Sequence, residues 1–181
     1  MSVTANPLSI LVLLFVLSCC AMDMWSRRIP NFLTVPAAIA GIAFNWYLRG
    51  AYGLLMSGAG VVVAVVVLLG PFAMGGIGGG DVKMMGAVGS LLGPQLVLPA
   101  LVIGITIGGV VMVVHLLRIG RLGEKLSSIY RMLVAATLTK SVEPLRVSPG
   151  AAETVALPYS IPLALGTIAV IAAHRYMESL S

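Results

Sequence analysis

The chain carries six acidic residues, and only two of them are aspartates, Asp23 and Asp81. These two alone fall within or against strongly apolar sequence, one closing the run Pro7–Met22, the other opening Asp81–Leu92. An ionisable side chain at membrane depth is costly and marks a functional site by default. Two carboxylic acids of one kind can do a definite piece of chemistry if the fold joins them. Like charges about 3 Å apart do not both ionise, so such a pair shares one proton. The ionised member takes a proton from a water as that water attacks a peptide carbonyl, and the protonated member donates to the carbonyl oxygen. The reaction needs no metal and no nucleophilic side chain, and the titration belongs to the pair.

Asp81 follows five glycines within GGIGGGDVKMM, residues 75–85. Gly78, Gly79 and Gly80 are expected to let backbone approach a substrate and to reach positive φ. An extended substrate strand could then pair with the exposed backbone edge. Irregular backbone at membrane depth is tolerated only where protein or a water-filled cavity surrounds it, so the loop implies a wet cleft. The bland counterpart is a helix-start turn with an acid near the positive end of the helix dipole.

The elements that must position these groups follow from composition. The chain has 181 residues, 59% hydrophobic and 9% charged, against roughly 25% charged in soluble domains. Its mean hydropathy is +1.07. This describes an all-α polytopic membrane protein, a single membrane-embedded domain over residues 1–181, and sets aside nucleic acid as a partner for the net charge of +5. Spans of about 20 apolar residues are expected at about Pro7–Met24, Pro30–Leu48, Gly53–Met74, Asp81–Leu92, Gln95–Leu117 and Val155–His174, six transmembrane helices in all. With the N-terminus outside, nine of the eleven Lys and Arg residues lie on the cytoplasmic side and only Arg49 and Arg175 outside, as the positive-inside rule requires. Both termini are then outside, and both aspartates lie toward the cytoplasm. Between the fifth and sixth spans, Leu126, Ile129, Tyr130, Leu133, Val134 and Leu138 recur at helical spacing opposite Arg121, Lys125 and Arg131. That pattern predicts an amphipathic helix in the headgroup layer, in contact with membrane lipid.

Other reactive residues are weaker candidates. Cys19 and Cys20 are adjacent, cannot form an ordinary disulfide, and read as small packing residues. His115 has no second ligand at metal spacing, so no zinc site is expected. No histidine stands near a serine in sequence to activate it. Lys83 either joins the site near Asp81 or snorkels to headgroups, and Asn31 either lines the cleft or caps the second span. Gly58, Gly60, Gly104, Gly108 and Gly109 permit close helix approach.

Three motifs resemble one family in order and spacing. GGGD at 78–81 followed by Val82-Lys83 resembles the GxGD signature of membrane aspartic peptidases, in the GGGDxK form of type IV prepilin peptidases. Asp23 ahead of Arg28-Ile29-Pro30-Asn31 is similar to the family's first-aspartate region, and Leu157-Pro158-Tyr159-Ser160-Ile161-Pro162 to its late PY-x-x-P element. The resemblance implies catalysis by Asp23 and Asp81, with Tyr159 and Pro162 shaping the mouth of the site, and no cofactor. It implies a prepilin substrate whose basic leader lies in the cytoplasm ahead of an apolar helix, cut just before that helix at the cytoplasmic membrane. Asp23 is preceded by only 22 residues and the chain has no CxxC. In this it resembles the short, peptidase-only branch that serves tight-adherence (Flp-type) pili, without the methyltransferase activity of larger members. The alternative from the residues alone is a small transporter moving protons or cations on the same two acids. Such sites usually lie near the midplane on broken helices in repeated halves, and no repeat is visible here.

Overall fold

The computed structural model describes residues 7–73, 76–120 and 159–180, and these are helical apart from short connections. Among the described residues five helices follow in order: α1 (Pro7–Ser26), α2 (Asn31–Ala73), α3 (Gly79–Leu92), α4 (Pro94–Ile119) and α5 (Ser160–Leu180). α1, α2, α4 and α5 are long and apolar enough to cross a membrane. Their outward faces are apolar too, with Leu11, Leu14 and Leu17 of α1 and Val62, Val66 and Leu69 of α2 exposed. In water such a surface would be a liability; against lipid tails it is the expected exterior. The chain is an integral membrane protein.

The second and third expected spans form the single 43-residue element α2, which is broken at Gly50 (φ 58°, ψ −142°). That conformation suits glycine and few other residues, and the chain turns back there: Gly53 lies directly against the carbonyl of Asn45. The two arms of α2 run antiparallel along α3. At one end of α3, Lys83 meets Asn31 of the first arm, and Gly79 faces Phe72 of the second. At the other end, Asn45 and Ser57, one from each arm, both donate to the Ser90 carbonyl. Gly60 and Gly89 meet backbone to backbone, a contact only glycines allow.

The fourth expected span is α3, with 14 residues, about 21 Å at 1.5 Å per residue. Gly93 (φ 76°) ends it, and Pro94 opens α4 at the position where proline costs no hydrogen bond. α4 and α5 pack antiparallel, with Gly108 against the Tyr159 ring, Gly104 against Leu163, and Gly166 against Ala100. The buried core joins Val12, Phe15, Val16 and Cys19 of α1 to Met84, Met85 and Val88 of α3 and to Leu163, Val170 and Ile171 of α5. The expected amphipathic helix, with its pattern from Arg121 to Leu138, and the start of the last span before Tyr159 fall outside the described residues; Arg118 and Ile119 continue α4.

Candidate active site

Asp23 lies in the last turn of α1, one turn before Arg27, whose φ of +50° ends the helix. Asp81 is the third residue of α3. α1 ends where α3 and α5 begin, so the packing that builds the core also gathers Asp23, Asp81 and the α5 start at one end of the bundle. Gly80, next to Asp81, packs on Ile29 just beyond the end of α1, so the two acids stand on adjoining parts of the bundle.

The acids differ in their surroundings. Asp81 is only 7% exposed. Its Oδ2 accepts from the Gly78 backbone N–H at 3.2 Å, while Oδ1 is buried without a hydrogen-bond partner among the described residues. Asp23 is half-buried, and its Oδ2 accepts from the Ser160 hydroxyl at 2.5 Å. A buried carboxyl oxygen with no donor facing it is costly. It is an oxygen suited to carry a proton or to meet a substrate carbonyl.

The glycines act by closeness rather than by unusual backbone angles. Gly78 is extended at φ −78°, and Gly79 and Gly80 belong to the first turn of α3. The positive-φ glycines among the described residues are Gly50, Gly93 and Gly120, so the expectation of positive φ at 78–80 is not met. The physical need is room: a Cβ on Gly80 would lie 3.2 Å from the Ile29 side chain, and one on Gly78 would lie 3.3 Å from Asp81 Oδ2. Gly78 itself is exposed, so the described residues leave the backbone just ahead of Asp81 uncovered.

Lys83 reaches across to α2, its Nζ donating to Asn31 Oδ1 at 2.9 Å. Asn31 therefore ties two helices together at the site end instead of capping α2 with its side chain. The open backbone N–H groups of Leu33 and Thr34 turn to the Pro30 carbonyl. Tyr159 and the buried Pro162 pack on α4, at Gly108 and Gly104. Between them stands Ser160, which reaches Asp23 and which residue spacing had not singled out. Its sequence signal was only its place inside Pro158–Pro162. Among the described residues, no group of three His, Cys, Asp or Glu side chains converges to hold a metal. A recess at the opposite end, between the Gly50 and Gly93 turns, is lined by Asn45, Arg49, Tyr52, Ser57 and Gln95, with no carboxylate among the described residues that line it.

Neither a curated protein nor a solved structure matches the chain. The model of the type IV leader peptidase family matches residues 10–113, more than half of the sequence, spanning Asp23, Asn31, Gly78–Gly80, Asp81 and Lys83. The chain therefore belongs to the type IV leader peptidase family and is a peptidase of the membrane.

Proposed function

We propose that the protein is an aspartic endopeptidase that removes the leader of type IV prepilins, of the Flp-like class, at the cytoplasmic face of the inner membrane. Asp23 and Asp81 are its catalytic pair. The observation that carries this reading is their convergence: acids 58 positions apart lie at one end of the bundle, Asp23 bonded to the start of α5 and Asp81 buried in the first turn of α3, which packs on Ile29 just beyond α1. The ionised carboxylate accepts a proton from water as the water oxygen bonds to the scissile carbonyl carbon. The protonated carboxyl gives its proton to the carbonyl oxygen. On collapse of the tetrahedral intermediate the C–N bond breaks as the nitrogen takes the proton gained from water, while a hydroxyl of the intermediate returns its proton to the other carboxylate, so the pair is left with one proton, as it began.

The surroundings fit such a substrate. Lys83, Arg27 and Arg28 make this end basic and exposed, which holds it on the cytoplasmic side by the positive-inside rule. If each arm of α2 crosses once and α3 occupies most of the bilayer depth, the chain has six crossings and both termini outside, in one unit spanning residues 1–181. A prepilin helix would approach laterally from lipid.

The test is co-expression with a pilin precursor from the same genome, followed by the mass of the pilin. Wild type removes the leader. Asp23→Asn and Asp81→Asn each accumulate at normal membrane levels and leave the precursor intact. Undiminished processing by either variant rejects the pair and favours ion movement, measurable as flux into vesicles holding the purified protein.

A further inference from the structure

The two acids arrive at the site on different kinds of support. Asp81 is held from within its own helix start, by Gly78 three residues back. Asp23 is held from 137 residues away, by the first residue of α5. Ser160 is 0% exposed, although Tyr159 before it and Ile161 after it are half-buried. A buried hydroxyl has to find a partner, and this one has the Asp23 Oδ2 oxygen at 2.5 Å. The contact is doubled on the backbone side, where Cys20 Sγ donates to the Ser160 carbonyl at 3.5 Å. Cys20 and Asp23 are three residues apart and so share a face of α1. The α5 start itself is fixed by the Tyr159 ring on Gly108 and by the Leu163 N–H donating to the Tyr159 carbonyl.

We infer that Ser160 is a positioning residue for the catalytic pair: its hydroxyl engages Asp23 Oδ2, fixes the carboxylate plane, and leaves Oδ1 as the oxygen that receives the proton of the attacking water. The inference rests on the aspartic-peptidase reading of Asp23 and Asp81. It also assigns the roles within the pair. Asp23, half-buried and held in place by the hydroxyl, is the member that acts as base. Asp81, with a buried Oδ1 that meets no donor among the described residues, carries the shared proton and delivers it to the substrate carbonyl. No second donor to Asp23 is present among the described residues that could substitute for the hydroxyl.

Threonine and valine have nearly one shape and differ by the hydroxyl, so the pair Ser160→Thr and Ser160→Val separates hydrogen bonding from packing. Purified protein is assayed on a synthetic prepilin, with Ser160→Ala as the variant that adds no bulk and with Asp23→Asn and Asp81→Asn alongside. The expected result is that Ser160→Thr keeps kcat within a few-fold of wild type. Ser160→Val and Ser160→Ala should lose roughly tenfold to a hundredfold in kcat, the range spanned by a hydrogen bond to a charged group, with KM unchanged. Equal activity in the Thr and Val variants, whether both high or both low, overturns the inference, as does a loss in Ser160→Ala that lies wholly in KM. Those outcomes leave the aspartates untouched. Only cleavage by Asp23→Asn or Asp81→Asn undoes the reading on which the inference stands.

Discussion

α3 is held to α2 at a point where neither helix can accept a side chain, and Gly89→Ala tests what that closeness does for the site. A methyl group on Gly89 would be driven into the Gly60 carbonyl, well inside the 3.0 Å that real Cβ atoms essentially never enter, and would also lie 3.1 Å from the Val61 nitrogen. Both obstacles are backbone, so no rotamer change relieves them, and the helices must part by about 1 Å. Overpacking of this kind costs about 1–3 kcal/mol. The same opening strains the bonds from Asn45 and Ser57 to Ser90, one residue further on. Asp81 stands eight residues away on the same rigid helix, about 12 Å along its axis, so a tilt at Gly89 displaces the carboxyl by a comparable amount. A misplacement of about 1 Å at a catalytic group costs about a hundredfold in rate. The expected outcome is a protein that still accumulates, melts several degrees lower in detergent, and processes pilin on the order of a hundredfold more slowly. Gly86→Ala is the matched control. It lies on the same helix and closer to Asp81, yet a Cβ there meets nothing within 4 Å. Replacing glycine by alanine in a helix interior favours the folded state by about 0.5–1 kcal/mol. Gly86→Ala should therefore melt at or above wild type with activity intact. If Gly89→Ala processes pilin at the wild-type rate, or if the two variants behave alike, close packing at Gly60–Gly89 does not set the position of Asp81.

Further outcomes follow from single contacts. Asn45 is buried and its amide donates to the carbonyls of Gly41, Ser90 and Leu91; Asn45→Leu strands these acceptors and should lower stability in detergent by about 1–2 kcal/mol, read as a thermal shift, with activity lost only in proportion to unfolding. Lys83→Met removes the tie to Asn31 at an exposed position, where such a bond contributes at most about 1 kcal/mol; processing should fall by less than tenfold, and a loss as deep as that of Asp81→Asn would place Lys83 in the chemistry.

Much of this arrangement was legible in the residues, because in a membrane the cost of charge and of unsatisfied backbone leaves few options. Asp23 and Asp81 stood out by residue type and by their places at the ends of apolar runs, and the fold brings those two ends together. The break in α2 and the α3–α4 boundary both fall between expected spans, because an apolar run twice the length of a bilayer crossing has to turn back, although Gly50 itself was not singled out as the turn. The roles of individual glycines were harder to read. Gly60, Gly104 and Gly108 do meet neighbouring helices, whereas Gly58 and Gly109 face open space. Small residues announce that closeness is possible; only the rotation of the helix decides which of them uses it. At Gly78–Gly80 the need for glycine was recognisable but its cause was not, since crowding by Ile29 and by the Asp81 carboxyl depends on two partners that no local pattern encodes. Ser160 was hidden for a related reason. A serine is common, and its significance here arises only from the packing of α5 on α1 across 137 positions.

The length of α3 explains why an acid at its start is of use to a hydrolase. Fourteen residues make about 21 Å of helix, against a hydrocarbon core of about 30 Å. The helices beside it are longer: α4 has 26 residues and α1 has 20. A short element packed among long ones leaves part of the bilayer depth to be filled by non-helical chain. Here that chain includes residues 76–78, directly before the first turn that carries Asp81. Lipid does not tolerate open backbone, so protein and water must surround this stretch. Gly78 is exposed while Asp81 behind it is almost fully buried. Water is thereby admitted to the edge of the site, and the carboxyl is kept where an opposing charge or a single hydroxyl has a large effect. An ion pathway would instead need its acids near mid-depth with an exit on each side. Both aspartates stand at one end, and the core between them and the far end is closed by Met84, Met85, Val88 and Leu91. Among the described residues, the aspartate end leaves Gly78 exposed and has packed side chains behind it, an arrangement that suits hydrolysis of a chain reaching that end.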